Sequence, residues 1–164
     1  MSEHAVLLPP GRGERIENPL GGEIVFKARS AETAGSLTVF EAVNPPGQGP
    51  PYHVHDALDE VIFVLGGTLR VRLADKVEQA TAGAFVFIPR GLPHTWEGLG
   101  DEAVRFLVVL APAGLEEFFE NTAAAGGAQA SGAFSRFGGD DLKVLGPPLA
   151  VTHPPTETDP VIGK

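Results

Sequence analysis

The chain has 164 residues, 43% of them hydrophobic and 20% charged, with a formal net charge of −9 and no cysteine. That length suits one domain, and that charge disfavours nucleic acid and anionic membrane surfaces as partners. Without cysteine, disulfides, thiolate catalysis and sulfur-ligated zinc or iron–sulfur sites are excluded, so any metal must use nitrogen and oxygen ligands.

Residues 1–19 read as an N-terminal extension. The opening MSEHAVLLPPGRGE lacks the basic start and long apolar run of a signal peptide. No apolar segment approaches the ~18 residues of a membrane span, and a cytoplasmic location is the expectation. From 20 to 112, short β-rich runs alternate with turns, and the chain holds 21 glycines and 15 prolines. That punctuation predicts an all-β sandwich or barrel. The runs are EIVFKAR (23–29), SLTVFEAV (36–43), YHVH (52–55), EVIFVLG (60–66), TLRVRLA (68–74), AFVFIP (84–89), HTWEG (94–98) and VRFLVVLA (104–111). LGGT at 65–68 has the glycines of a tight hairpin turn, and PRGLPH at 89–94 is a second turn. In TLRVRLA, Leu69, Val71 and Leu73 alternate with Arg70 and Arg72, which predicts one wet face. EVIFVLG and FLVVLA are apolar on both sides, as in a central strand or one covered by a partner subunit. Phe40, Phe63, Phe85, Phe87 and Phe106 read chiefly as core.

After Pro112 the pattern changes. Residues 113–126 predict a helix: GLEEFFENTAAA carries apolar residues at 115, 118 and 119, acidic residues in its first turn and a following GG stop. Residues 127–164 read as a flexible connection and tail. Within them DDLKVLGPPLAV is a candidate for a short docked element.

The chemistry-bearing residues cluster. His53 and His55 are two apart, so on a strand they share one face. Glu60 opens the next run, and His94 follows the PRGLP turn. Three imidazoles and a carboxylate suit one divalent transition metal: Fe, Ni, Mn, Co, Cu or Zn. His4 and His153 lie in the terminal segments and read as solvated. Asp56 and Asp59 flank the cluster, and Asp59 either orients a ligating histidine or caps a turn. Trp96 shares a face with His94 and either stacks on an aromatic substrate or fills the barrel. Tyr52 alternates away from that face and reads as packing. Arg90 and Arg105 read as surface residues, with capture of a substrate carboxylate as the alternative.

Two spaced motifs now stand out. Gly47, His53, His55, Glu60 and Gly67 match G-x5-H-x-H-x(3,4)-E-x6-G, and Gly83, Pro89, Gly91 and His94 match G-x5-P-x-G-x2-H-x3-N up to its last position. In both, the chain resembles the cupins. The final asparagine is replaced by Gly98, read as a turn position that accepts either residue. The resemblance implies a double-stranded β-helix, a jelly-roll barrel whose mouth holds a metal on His53, His55, Glu60 and His94. The surrounding PPGQGPP and APAGLEEFFE look most like single-domain bacterial cupins related to quercetin 2,3-dioxygenase. The function expected from it is a metal-dependent dioxygenase acting with O2 on an enol, phenol or flavonol-like small molecule. Glu60 would serve as both ligand and base, and Trp96 would contact the substrate. A metal-dependent lyase, isomerase or cyclase is the alternative, followed by a non-catalytic binding module. A homodimer is expected by the same likeness.

Overall fold

A computed structural model of the chain describes residues 5–18, 21–125, 141–153 and 159–162. His4 and the Gly-rich connection expected at 126–139 lie outside the described residues. In chain order the elements are β1 (Glu14–Glu17), β2 (Glu23–Ala28), α1 (Ser30–Thr33), β3 (Thr38–Asn44), β4 (Pro51–His55), β5 (Asp59–Gly66), β6 (Thr68–Leu73) and β7 (Lys76–Thr81). There follow β8 (Phe85–Ile88), β9 (His94–Leu99), β10 (Val104–Ala111), α2 (Glu116–Ala124), β11 (Leu142–Pro148) and α3 (Leu149–Thr152).

The strands form two antiparallel sheets, in the orders β1-β2-β3-β10-β5-β8 and β11-β4-β9-β6-β7. This is the all-β double-stranded β-helix that the motifs implied. Strand alternation builds the core between the sheets. Phe40 and Ala42 of β3, Ile62 and Val64 of β5, Leu69 and Val71 of β6, and Phe106 and Val108 of β10 all point inward and are buried. Burying each of these larger side chains is worth roughly 1.5–3 kcal/mol relative to leaving it in water.

Several expectations are corrected here. LGGT is not a hairpin: β5 lies in the first sheet and β6 in the second, so Gly67, at φ 80°, carries the chain across the barrel. The hairpin lies one step later, joining β6 to β7, a strand whose mixed KVEQAT sequence gave no clear period. β1 forms within the expected N-terminal extension and pairs with β2. Phe63, Phe85 and Phe87 are not core; they are 38%, 60% and 54% exposed, because Ile62, Val64, Val86 and Ile88 take the inward positions of the same strands. Arg70 is not on a wet face. It is buried, donating through Nη1 to Glu97 Oε1 at 2.7 Å, while Nε meets Asp159 and Nη1 also meets the His153 carbonyl. The C-terminal segment thus covers the outer side of β6, and Gln79 holds it further through backbone bonds with Pro160 and Ile162. His153 itself is exposed, as expected.

Gly98 is also corrected. It sits inside β9 rather than in a turn, and a Cβ there would come within 2.9 Å of the Pro45 carbonyl oxygen. The glycine serves close backbone approach: Gly47 N–H donates to the Gly98 carbonyl at 2.8 Å. The expected helix is present as α2. Glu116 ties its first turn to the barrel, accepting from Ser30 N–H at 2.7 Å and from Thr38 Oγ1 at 2.6 Å. Arg29 pairs with Glu120 one turn on. These bonds set Phe118 and Phe119 against the barrel opening, with Phe119 edge-on to Phe40 at 5.1 Å between centroids.

Candidate metal centre

β4 and β9 are neighbours in the five-stranded sheet, and His53 lies directly opposite His94 in their register. His55 is two residues along β4 on the same inward face. Glu60 enters from β5 in the facing sheet, so the cluster joins both halves of the barrel. One donor atom from each of the four side chains falls within 4.8 Å of all the others. All four residues are buried, at 1–3% exposure. The imidazole centroids are 4.3 Å apart for His53 and His94, 4.9 Å for His53 and His55, and 5.5 Å for His55 and His94.

Each imidazole is held from behind. His53 Nδ1 lies 2.8 Å from the Pro51 carbonyl, His94 Nδ1 2.8 Å from the Leu92 carbonyl, and His55 Nδ1 3.1 Å from Asp141 Oδ2. Carbonyl and carboxylate oxygens can only accept, so each Nδ1 donates its proton, and Nε2 is the ring nitrogen left to face the centre. Glu60 Oε2 stands 3.1 Å from His94 Nε2 and 3.9 Å from His55 Nε2. Burial pushes the pKa of His53 well below the ordinary 6.5, and the neighbouring His94 and His55 add to the effect. Burial also lowers His55, although Glu60 and Asp141 pull the other way. Neutral imidazoles with inward lone pairs are the state that a metal requires. The donor set and its outer supports therefore fit a divalent transition ion.

The cluster opens into a narrow cavity of about 40 Å³ between the sheets and under α2. Its walls include Ile24, Phe40, Trp96, Phe106, Leu110, Leu115, Phe118, Phe119 and Leu142, with Asn18 and Asn44 as further polar members. Trp96 stacks on His94, the rings 6.1 Å apart and 11° from parallel, and meets Phe106 edge-on. Trp96 thus fills barrel space, one of its two expected roles, and also lines the cavity.

The flanking residues sort clearly. Asp59 caps the turn at 89–91, accepting from Arg90 N–H at 2.8 Å and pairing with its guanidinium, so neither residue faces the cavity. Arg105 is exposed and lies near Glu41. Tyr52 packs under Arg72, as its alternation implied. Asp56 pairs with Lys143. The carboxylate that orients His55 is Asp141, a residue the sequence reading did not single out. Its other oxygen accepts from Ala57 N–H at 2.5 Å, and its carbonyl accepts from Asp56 N–H at 3.1 Å. The available signal was the DDLKV run, whose apolar alternation is that of a strand, but nothing in it named β4 as the strand it joins.

A family model described as the cupin domain matches residues 40–110. Germin-like protein 1-1 of Oryza sativa subsp. japonica is 35% identical over 102 residues, which is 52% of this chain and 46% of that protein. Protein SchB of Streptomyces halstedii is 30% identical over 82 residues, 49% of this chain and 59% of that protein. The chain thus spans about half the length of the curated relatives it matches. Among solved structures, the polyketide cyclase RemF from Streptomyces resistomycificus is 24% identical with a TM-score of 0.57, covering 66% of this chain and 80% of that one. An RmlC-like cupin from Shewanella frigidimarina is 17% identical with a TM-score of 0.58, covering 69% and 96%. At those identities the structural likeness is one of fold.

Proposed function

We propose that this chain, whose residues 40–110 match the cupin domain, is a metal-dependent dioxygenase acting on an enol, a phenol or a flavonol-like molecule. The observation that carries the reading is the four-donor cluster opening into an apolar, aromatic-walled cavity that shows no lysine or arginine among its described lining residues. His53, His55, Glu60 and His94 would hold the ion, which when bound supplies Lewis acidity and, if redox-active, a route for O2 chemistry.

The chain's own residues have separable tasks. The three Nδ1 anchors fix which ring nitrogen faces inward. Glu60, the sole carboxylate among the described lining residues, is the group placed to take a proton from a substrate hydroxyl. The apolar walls exclude water and favour a flat ring over a phosphosugar, which would need inward cations. Trp96 and Phe106 offer aromatic edges and faces to such a ring. The relation to quercetin dioxygenases, the homodimer and the cytoplasmic location remain parts of this proposal.

A second reading rests on the same uncharged lining. A lyase, isomerase or cyclase acting on a neutral substrate would use the same donors without O2, and one solved neighbour is described as a polyketide cyclase. Metal content by plasma mass spectrometry, on untagged protein beside His55→Ala, tests both. Near-stoichiometric Fe, Ni, Mn, Co or Cu that disappears in the variant, with O2 uptake on flavonols or catechols, is the expected result. Zinc alone with no O2 uptake favours the second reading. Failure to load any metal after reconstitution defeats both and leaves a binding module.

A further inference from the structure

The cavity holds two buried hydrogen-bond donors that the metal cluster does not use. Asn44 ends β3 in the six-stranded sheet and is fully buried; Trp96 lies in β9 of the five-stranded sheet and is 8% exposed. Both line the cavity. Asn44 Oδ1 accepts from Asn18 Nδ2 at 2.7 Å, which fixes the amide, while Asn44 Nδ2 and Trp96 Nε1 have no acceptor among the described residues. Neither group is part of the ligand cluster.

A buried N–H without an acceptor is costly, and native interiors rarely leave one. Two of them on residues that line one apolar cavity, one from each sheet, leave unmet donors that an oxygen of a ligand would satisfy. We infer that Asn44 Nδ2–H and Trp96 Nε1–H form a donor subsite for a neutral oxygen acceptor, so that the ligand of this cavity is an aromatic or enolic ketone. The inference rests on the proposed reading of the same cavity and narrows it, because the subsite takes a carbonyl oxygen other than the hydroxyl destined for the metal cluster. At this subsite a carboxylate or phosphate is disfavoured, since both donors are uncharged and no lysine or arginine is among the described lining residues. A hydrocarbon of the same outline leaves both donors unpaired and binds more weakly.

The test uses two probes that differ by one carbonyl, α-tetralone and tetralin, titrated against metal-loaded protein and again after chelation. Trp96 is the sole tryptophan, so the indole N–H gives one resonance that reports the hydrogen bond directly. The ketone should bind about tenfold tighter than the hydrocarbon in both preparations. It alone should move the indole resonance downfield. Trp96→Phe, which keeps a ring, and Asn44→Ser should each remove most of that preference while the metal content stays at its wild-type level. Equal binding of the two probes, an unmoved indole resonance, a preference intact in both variants, or no binding of either probe would overturn the subsite. A preference lost on chelation would overturn it too, assigning the carbonyl to the ligand cluster. Metal stoichiometry is measured separately, so failure of the subsite is distinguishable from failure of the metal reading.

Discussion

His53 and His55 are kept neutral by the same burial that makes them good donors, and this has a measurable consequence in the metal-free protein. In the unfolded chain each imidazole takes its proton near the ordinary 6.5, whereas in the folded chain both do so at lower pH. Between those limits the unfolded state binds more protons, so stability falls as pH falls. Chelated protein should therefore hold a constant urea midpoint above about pH 7.5 and lose up to about 1.4 kcal/mol per pH unit for each imidazole on acidification below 6.5. His53→Asn with His55→Asn should flatten that slope, and an equally steep slope in the double variant would refute the assignment. His53 and His55 were legible as a pair because strand alternation is local: two residues on, the side chain returns to the same face, whereas Glu60 and His94 joined them through the spaced motifs shared with the cupins. The exposed phenylalanines were not legible, because hydrophobicity gives the period of a strand without saying which face is inside.

At the scale of elements, the strand that matters most for the site is one of the last in the chain. β11 pairs with β4, placing Leu142 opposite His55 and Val144 opposite His53, so the strand carrying two donors is not an edge. Just before it, Asp141 reaches His55 Nδ1. Asp141→Asn keeps the size and an acceptor for Ala57 N–H, but presents a neutral amide to the imidazole. Metal affinity should fall 10–100-fold, read by competition with a chromophoric chelator, while the melting temperature of the metal-free variant stays near that of the wild type. Unchanged affinity would reduce Asp141 to a loop tie. Sequence reading could place a docked element here but not its partner, since His55 and Asp141 are 86 positions apart. β1 and β7 escaped notice for another reason: ERIE and KVEQAT are edge strands, mostly wet, with too few apolar residues to show a period.

For the whole molecule, the informative surface is the outer face of β5 and β8. Phe63 stands opposite Phe85 in their register, with Leu65 and Phe87 beside them, all exposed at the open end of the six-stranded sheet. We read a contiguous apolar patch of this kind, on a chain of net charge −9, as the surface through which the proposed dimer would form. The expected occupant is a second copy, whose like charge is kept apart if the uncharged patches meet. Light scattering after size exclusion should give a dimer for the wild type and a monomer for Phe85→Glu with Phe87→Glu, with metal content unchanged. A monomeric wild type would remove the homodimer from the proposal. The net charge was plain in the composition, whereas the patch needed the register of two strands.

The division of labour between barrel and roof carries a consequence for descent. The four clustered donors come from strands β4, β5 and β9, but Leu115, Phe118 and Phe119, which line the cavity beside them, come from α2 and the residue before it. Substitutions in that roof reshape what is admitted without disturbing any donor. A lineage carrying this barrel is therefore free to explore new substrates by drift in α2, so long as Asp141 and β11, in the same last third, continue to hold His55 and β4.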